Sequence, residues 1–209
     1  MEKDIHRDGK SRSCDGSLRV IAMKLIDNLV AISEKPLSPE NDFLAKILPI
    51  FVFFFFFPAL LFIIPKFIID PWLRLPILFG FSVRIIPSGA LIVLGLFFLI
   101  ASTRAQREIG KGTPMPLKAT QKLVVEIPYS YCRNPLYFGL INFFSGISIL
   151  IGSISSLVMV FIYAIIIVLY AKLIEERELE KRFGDDYIAY KATTPFIIPG
   201  LRLIRRNTK

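Results

Sequence analysis

The stretch LYFGLINFFSGISILIGSISSLVMVFIYAIIIVLYA, residues 136–171, runs for 36 positions without a single Asp, Glu, Lys or Arg. As one α-helix it would be about 54 Å long, against the ~30 Å of a bilayer's hydrocarbon core. Gly152-Ser-Ile-Ser-Ser156 supplies a break near its middle, which predicts a tight hairpin of two membrane spans, 136–151 and 157–173. Working toward the N-terminus, two more uncharged runs of 19 residues follow, Ile85 to Thr103 and Ile47 to Pro65. Each is long enough to cross a membrane. Pro49 and Pro58 should kink the 47–65 span, and its phenylalanine run 53–57 reads as lipid-facing bulk. The apolar piece Leu75 to Val83 is too short to cross alone and is expected either at the interface, as a re-entrant piece, or as a lengthening of the 85–103 span.

The composition agrees with this outline. Of 209 residues 54% are hydrophobic, and 19 are Phe. The 26 Lys and Arg and 17 Asp and Glu are pushed between the apolar blocks. The expected fold class is therefore all-α: a polytopic membrane helical bundle of about four transmembrane helices. Eight basic residues precede or include Lys46, six lie from Arg104 to Arg133, and nine follow from Lys172, against only Lys66, Arg74 and Arg84 on the other side. By the positive-inside rule, both termini and the middle loop face the cytoplasm. The predicted location is an integral, multi-pass position in a bacterial cell membrane, or in the endoplasmic reticulum of a eukaryotic cell.

Residues 1–42 read as a polar leader and 43–209 as the membrane domain, with a cytoplasmic tail from 174. The first 17 residues carry no apolar signal-peptide core. Within the leader, Leu18, Ile21, Ala22, Leu25, Ile26, Leu29 and Ile32 share one side of a helical wheel. Arg19, Lys24, Asp27, Asn28 and Glu34 share the other, which predicts an amphipathic helix over 18–33. The one histidine is His6, and Cys14 and Cys132 stand far apart, so the sequence offers no metal-ligand pattern and no histidine base among the spans.

Three polar stretches remain for chemistry. Gly110-Lys-Gly-Thr-Pro-Met-Pro116 ends the second span and shapes a rigid, extended exit. Pro128-Tyr-Ser-Tyr-Cys-Arg-Asn-Pro-Leu-Tyr-Phe-Gly139 leads into the third span. It puts Arg133 and Asn134 at a helix N-terminus whose free amides favour anions, with Pro135 at the first helical position. The same Tyr and Arg would also suit a headgroup-level anchor. In the third stretch, Glu175 and Glu176 leave the fourth span at a depth where a carboxylate is costly without a partner. They invite a cationic ligand or a pairing with Arg133, whereas Glu178 and Arg182 form an ordinary i,i+4 surface pair.

Together these stretches resemble the isoprenylcysteine carboxyl methyltransferase and phospholipid methyltransferase family of integral membrane enzymes. The resemblance covers about residues 85–200. It is carried by the Gly110–Pro116 loop, by Tyr129, Arg133, Pro135, Tyr137 and Gly139, and by Glu175-Glu176, Leu179, Phe183-Gly184, Tyr187, Tyr190, Pro195 and Ile198-Pro199. The chain departs at Ile127 and Ser130, where Gly and Arg are usual, and at Ala171, where the isoprenylcysteine enzymes place an Arg that contacts the acceptor. The resemblance implies a cytoplasmic pocket for S-adenosylmethionine and methyl transfer to a lipophilic acceptor, isoprenylcysteine-like or phospholipid-like. By motif, the cofactor contacts would be Gln121, Lys122, Leu123, Val124, Tyr129, Asn134, Pro135, Leu136, Tyr137, Glu175 and Glu176. Arg133, Asn134, Tyr137 and Glu175 would carry catalysis, with no metal and no nucleic-acid partner. Two other readings share part of the pattern: an NADPH-dependent membrane sterol-type reductase, and a non-catalytic membrane protein of the same fold.

Overall fold

The computed structural model describes Phe51 and residues 55–110 and 120–200, and these residues contain helices and no strand. The leader with its expected amphipathic helix, the start of the first span, and the Gly110–Pro116 stretch beyond Gly110 lie outside the described residues.

The first helical segment, α1, is built from two π-helical turns, Ala59–Ile63 and Pro65–Ile69, and a last turn Asp70–Trp72. Proline explains the wide turns. It has no N–H, and its ring crowds the carbonyl four residues back. The chain answers with i→i−5 bonds, Ile64 N to Ala59 O and Asp70 N to Pro65 O. Helix α2 spans Phe81–Glu108, α3 spans Pro135–Ile151 and α4 spans Ile154–Tyr170. The ambiguous piece 75–83 divides. Its last residues begin α2, and Leu73–Gly80 is an irregular strap. A π turn, Ala171–Glu175, carries α4 on into α5, Glu176–Phe183. Gly184, at φ 53°, ends α5 and opens α6, Asp185–Thr193.

Among the described residues, two helices are long and apolar enough to cross a membrane: Phe81–Glu108 and the continuous run Ile154–Phe183. Only 22% and 17% of their most apolar windows are buried inside the protein, unlike the core helix of a soluble domain. Pro135–Ile151 is apolar but shorter.

The α3–α4 turn forms where the sequence offered it. Gly152 takes a left-handed conformation (φ 69°), returning its N–H to the carbonyls of Ser148 and Ile149, and Ser153 caps α4 by accepting from Ser156 N at 3.1 Å. Side chains from elsewhere close the same end. Asp70 accepts from Ser155 N at 3.1 Å, and Arg84 donates to Leu150 O at 2.9 Å, so a carboxylate meets a helix start and a guanidinium a helix end. Ser156 bonds Leu61 O at 2.6 Å and Ser148 at 2.8 Å.

Helices α2 and α3 meet through small residues. Ser88, Gly95 and Ser102 recur every seven positions on α2 and are buried, and Gly95 and Ser88 face Gly139 and Gly146 on α3. A Cβ on Gly95 would lie 2.5 Å from Phe143 N, and one on Gly139 would lie 2.9 Å from Leu99 N. Where lipid is as apolar as the side chains, such close backbone approach and its dispersion contacts hold helices together. Between α1, α3 and α4 an aromatic cluster fills the interior: Phe62 packs edge-on against Phe144 at 5.8 Å, and Phe57 against Tyr163 at 5.1 Å.

Candidate functional site

The site gathers at the end of the bundle opposite the α3–α4 turn. Pro135 opens α3 at the position where a missing N–H costs nothing. Asn134 stands at the N-cap, but its side chain does not cap the helix. Its Nδ2 donates to Phe196 O at 3.0 Å, and its backbone N donates to the same oxygen at 3.1 Å. Arg133 N donates to Pro195 O at 2.8 Å, and Gly200 N to Tyr131 O at 3.1 Å. The segment 195–200 therefore clasps the loop ahead of α3. The N–H groups of Leu136 and Tyr137, in the first turn, remain without an intrahelical acceptor.

The π turn Ala171–Glu175 separates the two neighbouring carboxylates. Glu175 Oε2 accepts from the Tyr137 hydroxyl at 2.7 Å. Glu176 turns inward, 4% exposed, and meets two cations, Arg133 Nη1 at 2.7 Å and Lys191 Nζ at 3.0 Å. The Arg133 approach is out of line for a hydrogen bond, so the contact is an ion pair. Lys191 also reaches Glu180 at 2.7 Å, which, ahead of the Glu176 contacts, pushes its pKa up. The Arg133 guanidinium stacks over Phe196 at 5.6 Å. Arg133 and Glu176 thus satisfy each other, and the positive charge expected to attract an anion is already matched. Glu175 keeps part of its surface accessible and has no cation beside it among the described residues.

Tyr129 sits nearby in the other wall. Its hydroxyl accepts from Gln106 Nε2 at 2.6 Å, and its backbone carbonyl accepts from the Tyr190 hydroxyl at 2.6 Å. It packs with Ala105, Val124 and Ile109. Burial, with the negative charge of Glu175 adding to it, raises its pKa, so Tyr129 stays a neutral phenol. Burial also raises the Cys132 thiol, to about 11, and keeps it in the unreactive form. Of the loop residues expected at the site, Val124 is buried against Tyr129 and Leu123 is half-buried. Gln121 and Lys122 are exposed, Gln121 N donating to Gly110 O at 2.7 Å. Arg182 donates to Thr120 O and lies 3.4 Å from Glu178, the expected surface pair.

Sequence reasoning missed four contributors. Gln106, on the last turns of α2, carried no signal because an isolated Gln near a helix end is commonplace. Lys191 and the carbonyls of Pro195 and Phe196 act through tertiary contacts that no local spacing encodes.

The features so far define a class: a protein whose described residues are helical, with two apolar helices long enough to cross a membrane and with a carboxylate and several phenols gathered at one end of the helices. The model of the phospholipid methyltransferase family, a family of membrane methyltransferases acting on lipid, matches residues 83–186, in agreement with the resemblance carried by the site motifs. The matched segment runs from the start of α2 into α6 and includes Tyr129, Tyr137, Glu175 and Glu176. No curated protein matches the chain.

Proposed function

We propose that the chain is an S-adenosylmethionine-dependent methyltransferase whose acceptor is a lipid, phospholipid-like or isoprenylcysteine-like. One observation carries the reading. Of two adjacent carboxylates, Glu176 is neutralised by Arg133 and Lys191, whereas Glu175 is held by Tyr137 and meets no cation among the described residues. A half-buried carboxylate so placed suits a cationic ligand.

The residues fit the cofactor's parts. Glu175 would take the amino group, with Tyr137 orienting its oxygen. The N–H groups of Leu136 and Tyr137, at the positive end of α3, would take the carboxylate. Tyr129 and Tyr137 would flank the adenosine, with Gln121 to Val124 along the loop wall. Asn134, Pro135 and Arg133 act by fixing where α3 begins. The bound cofactor supplies an activated methyl group, which leaves this chain the work of alignment and electrostatics. A carboxylate acceptor would need no base, in keeping with a sequence whose one histidine is His6.

The same reading takes the basic-residue distribution as support for four spans, with both termini and the pocket on the cytoplasmic side. It treats 1–42 as a leader to a membrane domain over 43–209.

Calorimetric titration of the detergent-solubilised protein tests the proposal. Wild type should bind S-adenosylmethionine, and Glu175→Ala should weaken binding at least about 30-fold with an unchanged thermal midpoint, as expected when a ligand charge loses its buried partner. Equal affinity in the variant would remove Glu175 from the site. Saturation by NADPH without a response to S-adenosylmethionine would make the protein a reductase. Failure of both to protect it against heat would make it non-catalytic.

A further inference from the structure

The end of the molecule remote from Glu175 carries a surface that the methyltransferase reading does not use. From Trp72 to Phe81 the chain turns back over the α3–α4 hairpin, and Trp72, Leu73, Ile77, Phe79 and Phe81 project outward. Trp72 is 79% exposed, Phe79 70% and Ile77 65%. The backbone is nonetheless held. Leu75 N donates to Asp70 O at 2.9 Å, Arg74 N to Pro71 O at 3.2 Å and Leu78 N to Gly152 O at 3.1 Å. Arg74 and Phe79 take left-handed conformations, φ 51° and 49°, which side-chain-bearing residues keep only where their surroundings dictate it. A firmly tied strap that turns large apolar side chains away from the protein lacks a partner among the described residues.

Two further observations say what the partner is. Helix α3, which starts at the Arg133–Asn134 end, has 17 residues, about 25 Å at 1.5 Å per residue, just short of a ~30 Å hydrocarbon core, and α4 leads back from their shared turn and runs on through the π turn. The strap over their turn therefore lies at the level where hydrocarbon gives way to headgroups. The apolar surface is also continuous, through Phe67 and Ile68 before the strap and Val83 and Ile86 after it. In its midst Arg74 is exposed and has no ion pair among the described residues. A tryptophan and an unpaired guanidinium among aliphatic side chains match a phospholipid interface, the rings among the upper acyl chains and the cation on a phosphate.

We propose that residues 72–81 form an interfacial anchor that binds phospholipid headgroups of the leaflet opposite the Glu175 site. Trp72 is the chain's single tryptophan, so its emission reports this segment alone. The experiment uses the full-length chain in vesicles of phosphatidylcholine and phosphatidylglycerol, with brominated lipids and aqueous acrylamide as quenchers. Bromines near the top of the acyl chains should cause about a two-fold loss of emission, and bromines at the bilayer centre or acrylamide much less. Arg74→Glu should lower the shallow quenching in anionic vesicles to its level in neutral ones; unchanged quenching would overturn the headgroup contact. Acrylamide quenching as strong as for free tryptophan would make the strap an aqueous loop, and stronger deep quenching a re-entrant segment. Protection from every quencher would mean that a second copy covers the strap. Each of these three results overturns the proposal.

Discussion

The two ends of the helical bundle handle polar groups in opposite ways. At the α3–α4 turn, Asp70, Arg84, Ser148, Ser153 and Ser156 each find a chain partner, most of them at helix ends, and only Arg84 Nε and Ser155 Oγ are buried there without one among the described residues. At the other end the supply of carboxylates exceeds what the structure needs. Glu176 is tied to Arg133 and Lys191, whereas its neighbour Glu175 is merely steadied by a phenol. Polarity at a helix end therefore says little about function until its partners are counted. The residue left over after structural needs are met is the informative one.

Substitutions can break this contrast or sharpen it. The largest effect is expected from Glu176→Ala, which leaves Arg133 buried without its counter-charge. It should cost about 3 kcal/mol and lower the thermal midpoint in detergent, whereas Glu175→Ala should not. A comparable loss in both variants would erase the distinction between them. Gly95→Ala tests the contact that links the ends. Its new methyl would collide with the Phe143 backbone, costing about 2 kcal/mol by denaturant titration. At the turn, Asp70→Ala should remove one helix-capping acceptor from α4, worth about 1 kcal/mol, and leave cofactor affinity unchanged. The smallest effect belongs to Glu178→Ala, whose i,i+4 partner Arg182 is 3.4 Å away. A change above about 0.5 kcal/mol would show that this pair is more than a surface contact.

How far these features were legible in the sequence follows from the range over which each is specified. The hairpin break at Gly152, the proline start of α3 and the Glu178–Arg182 pair depend on residues a few positions apart, and the structure shows all three. Expected and observed helix bounds differ by a few residues, because uncharged runs mark hydrocarbon depth and helices continue past it into caps. The division of labour between Glu175 and Glu176 was legible only through the family resemblance, which singled out Glu175, and not from the residues themselves. Both Arg pairing and a cationic ligand were open to either residue, and a π turn that shifts their phase leaves no mark in hydrophobic periodicity. Likewise, nothing local to Asn134 indicates that its amide would turn to Phe196 instead of capping its own helix. The strap over 73–80 was readable as too short to span, but its course depends on Gly152, more than seventy positions away.

The π turn at Ala171–Glu175 has one further consequence. It holds one residue more than an α-turn would, so everything after it is rotated by roughly a quarter-circle relative to an unbroken helix. Upstream, the rod can be ruled by the demands of oil. Downstream, its facing is set independently, like the second hand of a clock geared to the same shaft. Loss of a single codon there would let an ordinary α-turn replace the wide one and leave the facing of α5 unchanged, so the extra residue is what lets the two halves of this rod face independently.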